Sequence, residues 1–379
     1  MTTVFEHARK IDANGQVDDF WMLVDGDTIT ETGSGRAPDA AARVDLGGHW
    51  LVPGFIDLHG HGGGGHSYDN GAEELLAGLA VHRSHGTTRS VISLVANPAP
   101  YLRASLGVIA DLAEADPLIL GSHLEGPYLA QERRGAHNGQ YLTEPQPFAL
   151  EELIGAARGT LRQITLAPEL PGALEAIDVL VENDVVVALG HTDADYATTR
   201  EAFDRGARLL THVYNAMPGI HHRAPGPVIA AFDDDRVSME LVLDGLHVDP
   251  RVAAFTFESA PGRVALVTDA MAAAGSHDGD YTLGSLTVTV RGGHAVLRGT
   301  NTIAGSTLTQ DAALRIAIES AGLEPHVAVG ALTLTPARVL GLEHRHGLLA
   351  AGFAADAVVL DHSWAVRAVW ADGREVVGL

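Results

Sequence analysis

The central part of the chain alternates short apolar runs with longer segments rich in Ala, Leu, Glu and Arg. The apolar runs are nearly uninterrupted by polar residues, as in strands buried on both faces of a sheet, and the segments between them have the length of helices. Eight such strands predict an α/β fold, a TIM-like (β/α)8 barrel. They cover residues 55–58, 88–95, 118–123, 161–167, 185–189, 208–212, 239–243 and 264–268, and the helices include 72–85, 101–115, 174–183 and 194–205.

A doubly wound open sheet is the alternative for this pattern. Its dinucleotide-binding form is disfavoured, because no Gly-x-Gly-x-x-Gly follows the first strand. After the eighth strand, alternation with glycine turns predicts a β-hairpin insertion near 281–298, and two helices follow at 307–321 and 326–340.

Both ends of the chain alternate with the period of strands. Short strand-like runs occur at 21–24, 28–31 and 44–46, and again at 356–361 and 366–370. Neither end is long enough to bury a core alone, so we expect them to combine. The predicted domains are a composite β-sandwich of 1–52 and 352–379 around a barrel of 53–351.

Composition narrows the classes of partner. A formal charge of −23 over 379 residues argues against nucleic acid or an anionic membrane surface, so any anionic substrate must be held by local cations. Cysteine is absent and Lys10 is the only lysine, which excludes thiolate chemistry and leaves no lysine for a Schiff base in the barrel. No leader and no run of 18 apolar residues is visible, so we expect a cytoplasmic protein without membrane contact.

The first predicted strand ends in His59 and His61, whose side chains point to the same side because strand side chains alternate. Alone, the pair could be two of the chain's 20 histidines in a glycine-rich turn. However, metal-competent or titratable side chains follow most other strands, where barrel enzymes place their chemistry. These side chains are Glu125, His191, His212, His247 and Asp269.

Imidazoles with a carboxylate suit zinc or divalent iron, with a coordination position left for water. Asp269 then has the position of a general base, although Glu125 could instead cap the next helix. Such a site is expected to hydrolyse an amide, ester or amidine.

Eight segments together resemble the amidohydrolase superfamily and, within it, the deacetylases of N-acetylglucosamine 6-phosphate. The resemblance extends over essentially the whole chain. Its most specific parts are Asn-Ala-Met at 215–217 and Asp-Gly-Leu-His at 244–247; the others are 53–62, 123–127, 135–137, 190–192, 267–270 and 304–306.

The resemblance implies that Glu125, His191 and His212 hold the principal metal ion. His59 and His61 match a second metal position that varies in the family, since some members have Gln and Asn there and use one ion. Whether this chain binds one ion or two therefore stays open. Glu125 stands where related hydrolases use a carboxylated lysine, which agrees with the scarcity of lysine.

The implied reaction uses Asp269 to take a proton from the attacking water and return it to the departing amine. His137 would donate to the acetyl oxygen, and the products would be glucosamine 6-phosphate and acetate.

The resemblance implies that the substrate phosphate contacts Asn215, the backbone amide of Ala216, and Arg223. It also implies that His247 contacts the sugar or the phosphate, and that the second subunit of a homodimer completes the site. From the residues alone, the favoured interpretation of Arg223 is an ordinary solvated charge, and the resemblance reverses that preference. Two alternatives remain: the same fold acting on another N-acyl or cyclic amide substrate, and a metal-free barrel serving assembly or regulation.

Overall fold

The structure is a computed structural model and describes residues 2–378. The strands are β1 (Thr2–Asp12), β2 (Gly15–Asp25), β3 (Thr28–Ser34), β4 (Ala42–Asp45), β5 (Trp50–Pro53), β6 (Phe55–Asp57), β7 (Gly62–Gly63), β8 (His66–Ser67), β9 (Thr87–Val95), β10 (Ile119–Glu125), β11 (Leu161–Leu166), β12 (Val186–Leu189), β13 (Leu209–Leu210), β14 (Ser238–Val242), β15 (Val264–Val267), β16 (Gly279–Leu283), β17 (Leu286–Arg291), β18 (His294–Leu297), β19 (Ala357–Leu360), β20 (Val366–Ala371) and β21 (Arg374–Val377).

The α-helices are α1 (Ala72–Ser84), α2 (Ala99–Ala115), α3 (Pro147–Ala156), α4 (Ala173–Glu182), α5 (Tyr196–Asp204), α6 (Gly226–Phe232), α7 (Pro250–Ser259), α8 (Gln310–Glu319), α9 (Pro325–Leu332) and α10 (Leu334–Val339). Among the described residues no helix is both long and apolar enough to span a lipid bilayer.

Eight strands form the barrel sheet in the order β6-β9-β10-β11-β12-β13-β14-β15, and neighbours from β9 to β15 pair in parallel. The sheet is nearly closed where the first and last strands end. There Gly60 and Ala270 form a parallel bridge, and the backbone N–H of Asp269 donates to the carbonyl of His59 at 2.8 Å. The predicted barrel is confirmed, and burial on both faces explains why its strands were visible as apolar runs.

The chain divides into two compact units. One contains the residues up to Asp57 together with Ala80–Arg89 and everything from Thr309 onward. The other contains Leu58–Leu79 and Ser90–Leu308. The domain boundaries expected at 52/53 and 351/352 stay a prediction.

In the first unit, strands from both chain ends join in one eight-stranded sheet, in the order β21-β20-β19-β5-β1-β2-β3 with β4 also paired to β1. Its core includes Phe5 and Trp370, whose rings meet edge to face at 5.1 Å. The sequence pattern missed β1, because the register shifts between Phe5 and Ala8 and His7 has a φ of 55°. A bulge of this kind breaks the two-residue alternation.

The insertion after the last barrel strand is larger than a hairpin. β16, β17 and β18 form a three-stranded antiparallel sheet, so the expected hairpin near 281–298 gains a third strand. Leu283, Val288 and Val290 pack with Val95 and Met271 of the same unit. This packing places the insertion over the carboxyl end of β9 and beside the segment that follows β15.

Candidate active site

Four predicted site residues lie at the carboxyl ends of barrel strands. Glu125 is the last residue of β10, whereas His191, His212 and Asp269 each come two residues after the end of a strand. These three residues have φ values of 49°, 27° and 46°, in the left-handed region. The change from extended to left-handed backbone ends each strand and turns the side chain toward the barrel axis.

Glu125, His191 and His212 form the first cluster of buried donors. The Nε2 atom of His191 lies 3.0 Å from Glu125 Oε1 and 3.0 Å from His212 Nε2. His191 Nδ1 donates to the carbonyl of Arg133 at 2.8 Å, so neutral His191 carries its proton there and an electron pair on Nε2. Electron pairs that converge without protons between them need a cation. This donor set therefore fits a divalent transition metal such as zinc or iron.

His59, His61 and Asp269 form a second buried cluster. The two Nε2 atoms are 3.1 Å apart, and Asp269 Oδ1 lies 3.6 Å from His59 Nε2 and 3.5 Å from His61 Nε2. Glu125 joins the clusters, since its Oε2 atom is 3.2 Å from His61 Nε2 while Oε1 faces the first cluster. One carboxylate thus lies between two sets of donors.

Burial and charge act against each other in these clusters. Burial acts to lower the pKa of His61, yet hydrogen bonds with Asp269 and Glu125 outweigh it and raise that pKa to about 9. Burial likewise acts to raise the pKa of Glu125, but the charges of His59 and His137 and the imidazole hydrogen bonds hold it well below its usual value. The clusters therefore attract cations, and protons compete with a metal ion for the same electron pairs.

A cavity of about 470 Å³ opens onto both clusters. Six of the predicted residues outside the principal ligand set line it, so the structure brings them together with the donors, although their roles stay predictions. These are His61, His137, Asn215, Ala216, His247 and Asp269, and the principal set of Glu125, His191 and His212 also reaches the cavity.

Two predicted site residues do not line this cavity: His59, which belongs to the second donor cluster, and Arg223, which belongs to neither cluster. Arg223 is the one that the structure leaves apart from the rest of the predicted site. It is exposed, and its Nη1 atom lies 2.8 Å from His222 Nε2 in the loop after Met217. Inspection of the sequence also missed two arginines that do line the cavity, Arg133 and Arg134, just before the Gly-Ala-His segment. Their position next to that segment was the available signal.

Sequence reasoning also missed Glu240 and Gln163, two fully buried polar residues inside the barrel strands β14 and β11. Glu240 contacts His59, and Gln163 contacts Glu240. A charged residue within the apolar run 239–243 was the signal that could have identified the pair.

A nearly closed parallel barrel with histidine and carboxylate clusters at its carboxyl-terminal rim defines a metal-dependent hydrolase. The chain belongs to the amidohydrolase family, which it matches over residues 50–376.

Among curated relatives, the chain is 37% identical over 378 residues to the N-acetylgalactosamine-6-phosphate deacetylase of Escherichia coli O157:H7, covering 99% of each chain. It is also 37% identical over 352 residues to the N-acetylglucosamine-6-phosphate deacetylase of Bos taurus, covering 89% of this chain and 86% of the relative. Among solved structures, a mutant N-acetyl-D-glucosamine-6-phosphate deacetylase of Mycobacterium smegmatis in complex with N-acetyl-D-glucosamine 6-phosphate is similar, with a TM-score of 0.94 and 41% identity over 100% of this chain and 99% of that one.

Proposed function

We propose that this protein removes the acetyl group of N-acetylglucosamine 6-phosphate by hydrolysis, giving glucosamine 6-phosphate and acetate. The observation that carries the proposal is the convergence of Glu125, His191, His212 and Asp269 at one cavity that His137 also lines. Membership of the amidohydrolase family makes the protein a hydrolase acting on an amide. The names of its similar relatives point to an acetylated phosphosugar.

The cofactor we propose is zinc or divalent iron held by Glu125, His191 and His212, with His59 and His61 available for a second ion. When bound, the ion polarises the acetyl carbonyl and lowers the pKa of a water molecule. The support is the donor set itself, in which imidazole nitrogens and carboxylate oxygens converge from strands on different sides of the barrel.

The proton transfers fall to Asp269 and His137. Asp269 lines the cavity, and its carboxylate would accept a proton from the attacking water and pass it to the amine nitrogen as the C–N bond breaks. His137 Nδ1 accepts from the backbone N–H of Ala96 at 3.3 Å, so neutral His137 carries its proton on Nε2. That nitrogen lies 3.3 Å from Glu125 Oε2. With Glu125 holding a metal ion, the N–H would donate to the acetyl oxygen and stabilise the charge developing there.

For the phosphate we propose Asn215, the amide of Ala216 and Arg223, with His247 beside the sugar. Arg223 lies outside the cavity lining of its own chain, which supports the homodimer implied by the family resemblance, with a loop of one subunit completing the site of the other. Exposed apolar side chains on the two neighbouring loops fit this arrangement: Ile220 is 47% exposed and Leu246 is 49% exposed. We place the reaction in the cytoplasm, since a charged phosphosugar does not cross a bilayer unaided.

A second candidate substrate is N-acetylgalactosamine 6-phosphate, because the relative that this chain matches over 99% of its length is a deacetylase of that sugar. The two sugars differ only in the orientation of the 4-hydroxyl group, so both could present the same acetyl and phosphate groups to the site.

Turnover of three compounds tests the proposal: the two epimeric phosphosugars and unphosphorylated N-acetylglucosamine. A kcat/KM highest for N-acetylglucosamine 6-phosphate supports it, and a value highest for the galactosamine epimer moves the assignment to the second candidate. Equal turnover with and without phosphate would refute both and favour another N-acyl substrate.

A further inference from the structure

A chain of buried polar contacts extends from the second cluster into the barrel interior. His59 Nδ1 lies 3.0 Å from Glu240 Oε2, and Gln163 Nε2 donates to Glu240 Oε1 at 2.7 Å. All three residues have 0% exposure. Glu240 is on β14 and Gln163 on β11, so the contacts link three different parts of the sheet.

We propose that Glu240 is a positioning residue that prepares His59 to bind a second cation together with His61 and Asp269. This inference rests on the proposed metal-dependent function. The carboxylate accepts at both oxygens, so the proton of neutral His59 lies on Nδ1. The electron pair on Nε2 is then directed at the second cluster, where His61 Nε2 is 3.1 Å away.

The other three imidazoles of the clusters lack such a partner. His191 Nδ1 donates to an uncharged backbone carbonyl, and the Nδ1 atoms of His61 and His212 are buried without a hydrogen-bond partner among residues 2–378. Of the four imidazoles, His59 alone is thus bonded through Nδ1 to a charged acceptor. An anionic acceptor on Nδ1 fixes the ring orientation and makes Nε2 a stronger electron donor.

Charge balance points the same way. In the described part of the chain no lysine or arginine forms an ion pair with Glu240, although its carboxylate is fully buried. Its ion-pair partner is His59, which compensates the charge only when it is protonated. A divalent cation at the adjacent cluster would offset the buried carboxylate while His59 stays neutral. Gln163 alone supplies only an amide dipole.

The test is a zinc titration of chelator-stripped protein against a chromophoric chelator, with the zinc content confirmed by elemental analysis. The wild-type chain should bind two ions. In Glu240→Gln the carboxylate becomes an uncharged amide, whose NH2 end donates instead of accepting. Gln163 can reverse its own amide to accept from that NH2, because its Oε1 atom has no partner among residues 2–378, so His59 Nδ1 keeps at most a neutral acceptor in place of a charged one. We expect the second dissociation constant to rise about 10- to 100-fold and the first to change by less than about threefold.

Thr165→Val is the matched control. Thr165 Oγ1 bonds the buried His123 at 2.8 Å, and the His123 ring lies 4.7 Å from that of His59, yet neither residue belongs to a donor cluster. Both zinc affinities should stay unchanged in this variant. If Glu240→Gln does not fold, Gln163→Met keeps the charge but removes one bond from Glu240, and it should weaken the second site about fivefold.

The inference is overturned by an unchanged second affinity in the folded variants, by equal weakening of both sites, or by the same loss in Thr165→Val. It is also overturned if the wild-type chain binds a single ion, a result that leaves the proposed function standing. A wild-type chain that binds no divalent cation would refute the proposed function itself.

Discussion

Replacing Asp269 with asparagine is the most direct test of the reaction chemistry. The substitution keeps the size of the side chain and an oxygen that can face the second cluster, but it removes the proton acceptor. Loss of a general acid–base group typically lowers the rate by about 10² to 10⁴. We expect the upper half of that range, because the other carboxylate in the clusters, Glu125, is already engaged by His61, His137 and His191. The predicted fall of about 10³ to 10⁴ corresponds to about 4 to 5.5 kcal/mol of transition-state stabilisation.

The assay is kcat for N-acetylglucosamine 6-phosphate at zinc occupancy matched by elemental analysis, since an unequal metal content would imitate a chemical defect. Asp311→Asn is a suitable control, because Asp311 is a buried aspartate bonded to His85 in the other compact unit. It should turn over within about twofold of the wild type. A near-normal kcat for Asp269→Asn at equal occupancy would refute the role of Asp269 as the general base.

Three further predictions concern phosphate binding, stability and the metal. Arg223→Ala should raise KM for the phosphosugar about tenfold or more and leave KM for unphosphorylated N-acetylglucosamine unchanged, because only the former loses a charge-assisted contact; equal effects would exclude a phosphate role. Burial acts to raise the pKa of Asp356, but His346 and Arg89 outweigh burial and lower that pKa to about 2. Arg89→Met should therefore lower the free energy of unfolding, measured in urea at pH 6, by about 2 kcal/mol. This stability is present above the ordinary carboxyl pKa and is lost as the pH falls toward 2, so the cost should shrink at pH 3, and a constant cost would contradict the explanation. Chelation should abolish turnover and lower the unfolding temperature, with recovery on adding zinc or iron; full activity after verified removal would exclude a metal mechanism.

The barrel was predictable because its strands are apolar on both faces. The residues at which the strands end were not predictable. The run 208–212 predicted five strand residues, but β13 contains only Leu209–Leu210, since His212 turns into the left-handed region. Histidine is enriched in that conformation, but too weakly to mark where a strand ends. At the amino end, the bulge at His7 hid β1 for the same reason: local backbone geometry interrupted the pattern that side chains would otherwise show.

The donor residues were predictable because parallel strands bring their carboxyl ends to one rim, so sequence positions at strand ends translate directly into proximity. Arg223 was different, because its place depends on the course of a loop, and its proposed phosphate contact requires the proposed homodimer. Glu240 and Gln163 were missed because the apolar runs predict strands without polar residues in the barrel interior. The pair nevertheless reaches the site, since Gln163 contacts Glu240 and Glu240 contacts His59.

The left-handed backbone at His191, His212 and Asp269 also decides how these positions should be mutated. Alanine is unfavourable at positive φ, so alanine scanning would mix the loss of a functional group with a change in the preference of the main chain. Asparagine visits this conformation more readily than most residues. Asparagine variants at the three positions therefore isolate the chemistry of the side chain, and comparing each with its alanine counterpart measures the conformational contribution separately.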